Sequence, residues 1–224
     1  LNNHALFETK AKAMKQIALI MIVGLCWIGA ALRFYQIDTQ SLWNDEGSSY
    51  VQSTRNFWEI ADHAGRDIHP PGYYWGLGLW RIAVGESEFS LRALSAFAGV
   101  ITIAIAFAIG RDLYGHTAGL TAAGLVTLNS FQLYYSQEAR MYALLALWSA
   151  AGIWALWHLI RTRGSWRWAI ALALINAAGL YTQYVYPTMM ITQGVLLVLW
   201  IGAEIRQAGA IRLVLPLLGR FIVL

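Results

Sequence analysis

Three short polar clusters carry the side chains able to do chemistry. They are Trp43-Asn44-Asp45-Glu46, Asp67-Ile68-His69-Pro70-Pro71 and Ser136-Gln137-Glu138-Ala139-Arg140. Asp45 and Glu46 are adjacent carboxylates. Partial desolvation and a neighbouring negative charge each raise a carboxyl pKa, and a group tuned this way accepts a proton from a hydroxyl as a general base. A structural role suits the same residues. Asn44 or Asp45 can cap a helix, Glu46 favours its N-terminal dipole, and Trp43 anchors at a membrane interface.

The second cluster reads first as a rigid corner, because tandem prolines fix φ, lack donors and precede a helix well. Asp62, His63, Asp67 and His69 are metal-ligand types, but their spacing matches no strong ligand motif. In the third cluster Ser136 is expected to cap a helix over 140–160, with Glu138 suiting its dipole and Arg140 snorkelling to the headgroups. The same arrangement is an anion site, since a helix N-terminus and an arginine both attract phosphate. Arg92 heads the outer end of an apolar run over 89–110 and can join that site. His116, His158, Asn176 and Gln183 are read as structural.

These clusters must be held by membrane helices. The chain has 224 residues, 58% hydrophobic and 12% charged, with a mean hydropathy of +0.49. Soluble domains carry about 25% charged residues. Apolar runs are expected at 16–36, 89–110, 117–134, 140–160, 167–185 and 187–203, with a seventh beginning near 213. The first is a retained helix rather than a cleaved signal, because no small-residue cleavage site follows it. The single cysteine, Cys26, excludes an intrachain disulfide. The pI near 9.3 reflects basic cytoplasmic loops rather than nucleic-acid binding.

The short run 72–84 decides the topology. If it lies flat, Lys10, Lys12, Lys15, Arg111, Arg161, Arg163, Arg167, Arg206, Arg212 and Arg220 share one side with only Glu8, Asp112 and Glu204. All three polar clusters then share the other side. If it spans, the basic 161–167 loop lands outside, against the positive-inside rule. The flat arrangement makes 37–88 a long outer loop with interfacial helices near 54–64 and 72–84. The fold class expected is an all-α polytopic membrane helix bundle. The chain begins at Leu1 and ends within the apolar Phe221-Ile222-Val223-Leu224, so it is expected to be the N-terminal part of one transmembrane domain.

With these residues in place, the chain resembles the GT-C glycosyltransferases, in the branch of protein O-mannosyltransferases and the lipid A aminoarabinose transferase. Trp43-Asn44-Asp45-Glu46 falls just after the first helix, like that family's Asp-Glu motif. Asp67-Ile68-His69-Pro70-Pro71 with Tyr73-Tyr74 is similar to its His-Pro-Pro stretch. Tyr135-Ser136-Gln137-Glu138-Ala139-Arg140-Met141-Tyr142 and Gly110-Arg111-Asp112-Leu113-Tyr114-Gly115 look like further family motifs. The resemblance covers about 10–200 and extends the fold reading to a GT-C-like bundle.

The resemblance implies an enzyme of the plasma or inner membrane with its active site on the extracytoplasmic side. A sugar moves, with inversion, from a polyprenyl-phosphate-linked donor to a hydroxyl on a protein, lipid or glycan acceptor. Asp45 is implied as base with Glu46 beside it. Glu46, Asp67 and His69 are implied to orient Asp45 or the sugar. Arg140, with Arg92 and Glu138, stabilises the departing phosphate, and Gln137 and Tyr142 complete the donor side. No metal ligand set is assigned, and a divalent cation stays open. The alternative is a transporter or flippase of lipid-linked sugars, which should place its charges near the bilayer midplane on broken helices.

Overall fold

The computed structural model describes residues 3–208, and every regular element among them is helical. In chain order these are α1 (Asn3–Phe34), α2 (Asn44–Ser53), α3 (Phe57–Ala64), α4 (Gly72–Val84) and α5 (Glu88–Tyr114). They continue with α6 (His116–Leu128), α7 (Ser130–Ser136), α8 (Tyr142–Arg161), α9 (Trp166–Thr182) and α10 (Pro187–Ala208). Among the described residues four helices are long and apolar enough to cross a membrane: Lys12–Phe34, Glu88–Tyr114, Tyr142–Arg161 and Pro187–Glu204. The run expected near 213 lies outside the described residues.

α5 is the central post, packed against α1, α4, α6 and α8. Ser87 starts it by accepting the Ser90 N–H at 3.1 Å, and Arg111 sits in its last turn, where a cation complements the helix dipole. Its 27 residues extend about 40 Å, more than the hydrocarbon core requires. α5 and α6 run close because small residues meet: a Cβ on Gly110 would lie 2.8 Å from the Gly119 Cα. In lipid, close packing of this kind replaces the missing hydrophobic drive between helices. α9 and α10 are joined by polar side chains instead. Asn176 and Gln193 exchange amide hydrogen bonds of 3.0 and 3.1 Å, and the Tyr186 hydroxyl donates to Asn176 Oδ1 at 3.0 Å.

Three local features differ from expectation. The run 117–134 is broken between α6 and α7 at Asn129, whose side chain accepts the Gln132 N–H at 2.9 Å and caps a new helix. The run 167–185 ends at Thr182, with Gln183 extended, before Pro187 opens α10. The helix expected over 54–64 begins only at Phe57, because Asn56 and Glu59 form a reciprocal cap there.

α2, α3 and α4 occupy the 37–88 segment beside the N-terminal end of α5. Trp75 of α4 stacks on Phe57 of α3 at 4.3 Å and donates to its carbonyl at 3.1 Å. α4 packs against α2, α5 and α9 while leaving Leu79 and Ile82 outward.

Candidate active site

The two carboxylates of the first cluster have opposite environments. They start α2, where successive side chains point about 100° apart. Glu46 faces inward and is 1% exposed. Its Oε1 accepts from Arg92 Nε at 2.8 Å and from the Ala139 N–H at 2.7 Å. Its Oε2 accepts from Arg92 Nη2 at 2.6 Å and from the Trp43 N–H at 3.3 Å. Four acceptor positions are thus filled, the capacity of a carboxylate. Burial pushes this carboxyl up, but the Arg92 hydrogen bonds, the Ala139 N–H and the Arg92 charge outweigh it and hold it below its ordinary range.

Arg92 is equally committed. Besides Glu46 it donates to the carbonyls of Ile37 at 2.7 Å, Gln40 at 2.8 Å and Ser41 at 3.2 Å. All five guanidinium N–H groups therefore have protein acceptors, and none is left for an external anion. The Glu46–Arg92 pair clamps α2, α5, the 37–41 turn and the backbone before Arg140 to one another.

Asp45 faces outward, with its side chain 44% exposed. Its Oδ2 lies 3.6 Å from Arg140 Nη2, whose side chain is only 5% exposed. Arg140 also donates from Nη1 to the Asp45 carbonyl and to Ser49 Oγ, both at 3.2 Å. Its backbone is fixed to α5 through its carbonyl, which accepts from Ser95 Oγ at 3.1 Å. Arg140 Nη2 lies 3.4 Å from His69 Nε2. A guanidinium can only donate, so Nε2 accepts and the neutral ring carries its proton on Nδ1, 3.9 Å from Asp67 Oδ1. Burial and the Arg140 charge push His69 below its ordinary value, which favours that neutral form.

Asp45, Arg140, His69 and Asp67 therefore form one chain of polar contacts, drawn from three segments far apart in sequence. The Tyr142 ring lies 5.8 Å from the Arg140 guanidinium. Two buried donors in this region have no acceptor: Arg140 Nε and the Tyr73 hydroxyl. Buried donors are usually satisfied, so each of the two is open to an acceptor oxygen. Among the described residues no three His, Cys, Asp or Glu side chains converge as a cation cage.

Glu138 and Gln137 sit elsewhere. Both line a cavity of about 500 Å³ together with Tyr35, Trp43, Arg92 and Tyr134. Burial pushes the Glu138 carboxyl up; a hydrogen bond from Tyr134 opposes this and the Glu46 charge adds to it. Gln137 ties off the end of α1, donating to the carbonyls of Tyr35 at 3.0 Å and Leu32 at 3.2 Å.

Ser136 does not cap α8. It ends α7, is fully buried and accepts from Arg33 Nε at 3.2 Å. Sequence reasoning assigned Arg33 no role. It is completely buried, also donates to the carbonyls of Gly29 and Val126 at 3.2 Å, and has no acid among its partners. The available signal was its position: a charge in the last turn of an apolar span is costly and calls for a reason.

An apolar helix bundle with four helices able to cross a bilayer, among the described residues, and a polar cluster at one end is the architecture of an integral membrane protein. Residues 68–224 match the family described as dolichyl-phosphate-mannose-protein mannosyltransferase, and the chain belongs to that family. Asp45 and Glu46 precede the matched residues. The chain is also 29% identical, over 169 residues, to undecaprenyl phosphate-alpha-4-amino-4-deoxy-L-arabinose arabinosyl transferase 2 of Sodalis glossinidius (strain morsitans). That match covers 70% of this chain and 30% of the relative, so the chain spans well under half of that protein's length.

Proposed function

We propose that this chain carries the acceptor-activating acid and the phosphate-facing arginine of a polyprenyl-phosphate-sugar glycosyltransferase. One observation carries the assignment. Of the two adjacent acids, only Asp45 has a carboxylate open to solvent, and it lies 3.6 Å from the buried Arg140 guanidinium.

In this reading Asp45 takes the proton of an acceptor hydroxyl. The oxygen bonds to the anomeric carbon as the bond from that carbon to the phosphate oxygen breaks. Attack from the face opposite the phosphate inverts configuration through an oxocarbenium-like transition state. Arg140, with its unpartnered Nε and the Tyr73 hydroxyl, stabilises the charge that develops on the leaving phosphate. His69 and Asp67 hold Arg140 in place, while Glu46 and Arg92 hold α2 so that Asp45 faces outward. Glu138 and Gln137 line a cavity large enough for a sugar. No step is assigned to a metal.

The name of the family supports a polyprenyl-phosphate-linked sugar as donor, as does that of the arabinosyl transferase relative. The basic loops at the opposite end of the bundle support an extracytoplasmic site in the plasma or inner membrane. The charges of the cluster lie at helix ends and in loops, which favours an enzyme over a transporter.

The test uses membranes carrying the protein, a labelled polyprenyl-phosphate sugar and endogenous acceptors. Asp45→Asn should lower donor-dependent labelling by about 10²–10⁴-fold at unchanged expression. Equal labelling would remove Asp45 as the base.

A further inference from the structure

The end of the bundle opposite Asp45 holds a second cavity, of about 430 Å³. It is lined by Lys15, Ala18 and Leu19 of α1, Phe107 and Arg111 of α5, and His116 of α6. Arg111 lies 19 residues beyond Arg92 on α5, roughly 28 Å along the helix. Of the lining side chains among the described residues, three carry nitrogen donors and none is an acid.

The donors are available. Arg111 uses Nε and Nη2 on Asp112 Oδ1, at 2.9 and 2.7 Å, and its Nη1 has no acceptor among the described residues. The carboxylate of Asp112 is turned away from further cations, because its Oδ2 meets Trp154 Nε1 at 3.0 Å and His158 Nε2 at 3.1 Å. The Phe107 ring, 5.7 Å from the Arg111 guanidinium, supports it from one side. Lys15 and His116 have no acid partner among the described residues. The other wall is apolar, and Leu19 is 63% exposed on a helix suited to lipid contact.

We propose that this cavity binds the phosphate of an anionic membrane phospholipid, with an acyl chain lying along the exposed face of α1 beyond Leu19. A free anion would be served by the cations alone. The apolar wall continuous with a lipid-facing helix is what selects a lipid. A zwitterionic headgroup brings its own cation into a basic cavity and is disfavoured by it. The site is separate from the donor chemistry, which lies at the other end of the bundle.

The test is native mass spectrometry of the full chain, delipidated in detergent and titrated with phosphatidylglycerol or phosphatidylcholine. Phosphatidylglycerol should bind about tenfold more tightly. Lys15→Gln and His116→Gln should each weaken it by about fivefold without changing phosphatidylcholine binding. Arg161→Gln, at the same end but outside the cavity, should leave binding unchanged, and circular dichroism should be the same for all variants. Equal affinity for the two lipids would overturn the proposal. So would unchanged phosphatidylglycerol binding in the Lys15/His116 double variant, or a loss in Arg161→Gln as large as theirs. Displacement of phosphatidylglycerol by millimolar inorganic phosphate would overturn a lipid as the occupant.

Discussion

Glu46 and Arg92 form a two-pronged ion pair, with Arg92 Nε and Nη2 donating at 2.8 and 2.6 Å to the two carboxylate oxygens. Both side chains are nearly inaccessible, at 1% and 6% exposure. The pair joins α2 to the N-terminal end of α5 and, through the Ala139 N–H, to the segment that carries Arg140. It is the reason Asp45 and Arg140 meet.

Breaking this pair from one side should be costly, because the remaining charge stays buried without its partner. Arg92→Ala or Glu46→Ala is expected to destabilise the fold by about 3–5 kcal/mol, and the double variant by much less than the sum. Chemical unfolding in detergent would measure this. Additive single effects would show that the two residues act independently.

Arg33 provides a second structural test. Its three hydrogen bonds go to neutral acceptors, one of them Ser136, four residues before Arg140. Arg33→Ala would empty a buried volume and leave two carbonyls and a hydroxyl short of a donor. A loss of about 2–4 kcal/mol is expected, with Ser136→Ala costing about 1 kcal/mol. Thermal unfolding of both variants checks the ranking, which would fail if Ser136→Ala were the more damaging.

His69 should make the cluster sensitive to mild acid. Its folded pKa lies below the ordinary 6.5, so the unfolded chain binds the proton more readily. Its contribution to stability is full above 6.5 and is lost as pH falls through the lower folded value. Glu46, also lowered, acts in the same direction but only below the ordinary carboxylate value of 4.5. Glu138 is raised, so its contribution is full below 4.5 and is lost as pH rises through its folded pKa. Stability followed against pH should show a downward step beginning below pH 6.5 that His69→Gln removes. A step that persists in this variant would place its origin in another group.

The α5–α6 contact should resist any added bulk. A Cβ on Gly119 would lie 2.6 Å from the Phe107 carbonyl oxygen, a backbone atom that moves only with its helix. Gly119→Ala is expected to cost about 1–3 kcal/mol. Gly124, which faces open space on the same helix, should tolerate alanine. Similar unfolding midpoints for the two variants would mean that the helices shift apart freely.

The sequence by itself determined where helices form and which clusters share an end of the bundle. Apolar runs such as 89–110 are long enough to span, and in lipid their backbone groups have few partners outside a helix. Glu46, which accepts the Trp43 N–H at the start of α2, and the two prolines after His69 mark helix starts by local chemistry, whereas neither Asn44 nor Asp45 caps α2 as expected. Local chemistry also explains the break at Asn129, although its cap is hidden in a run that reads as continuous. Tertiary structure decided which member of each chemically similar set is available. Asp45 and Glu46 carry the same functional group but leave α2 in different directions, and packing against α5 buries one and exposes the other. Arg33, Arg92 and Arg140 look alike in sequence. One is buried among carbonyls, one is saturated by Glu46 and the 37–41 turn, and one retains a free donor beside Asp45. Those differences depend on which backbone groups reach each guanidinium in three dimensions, and residue type and spacing do not encode them.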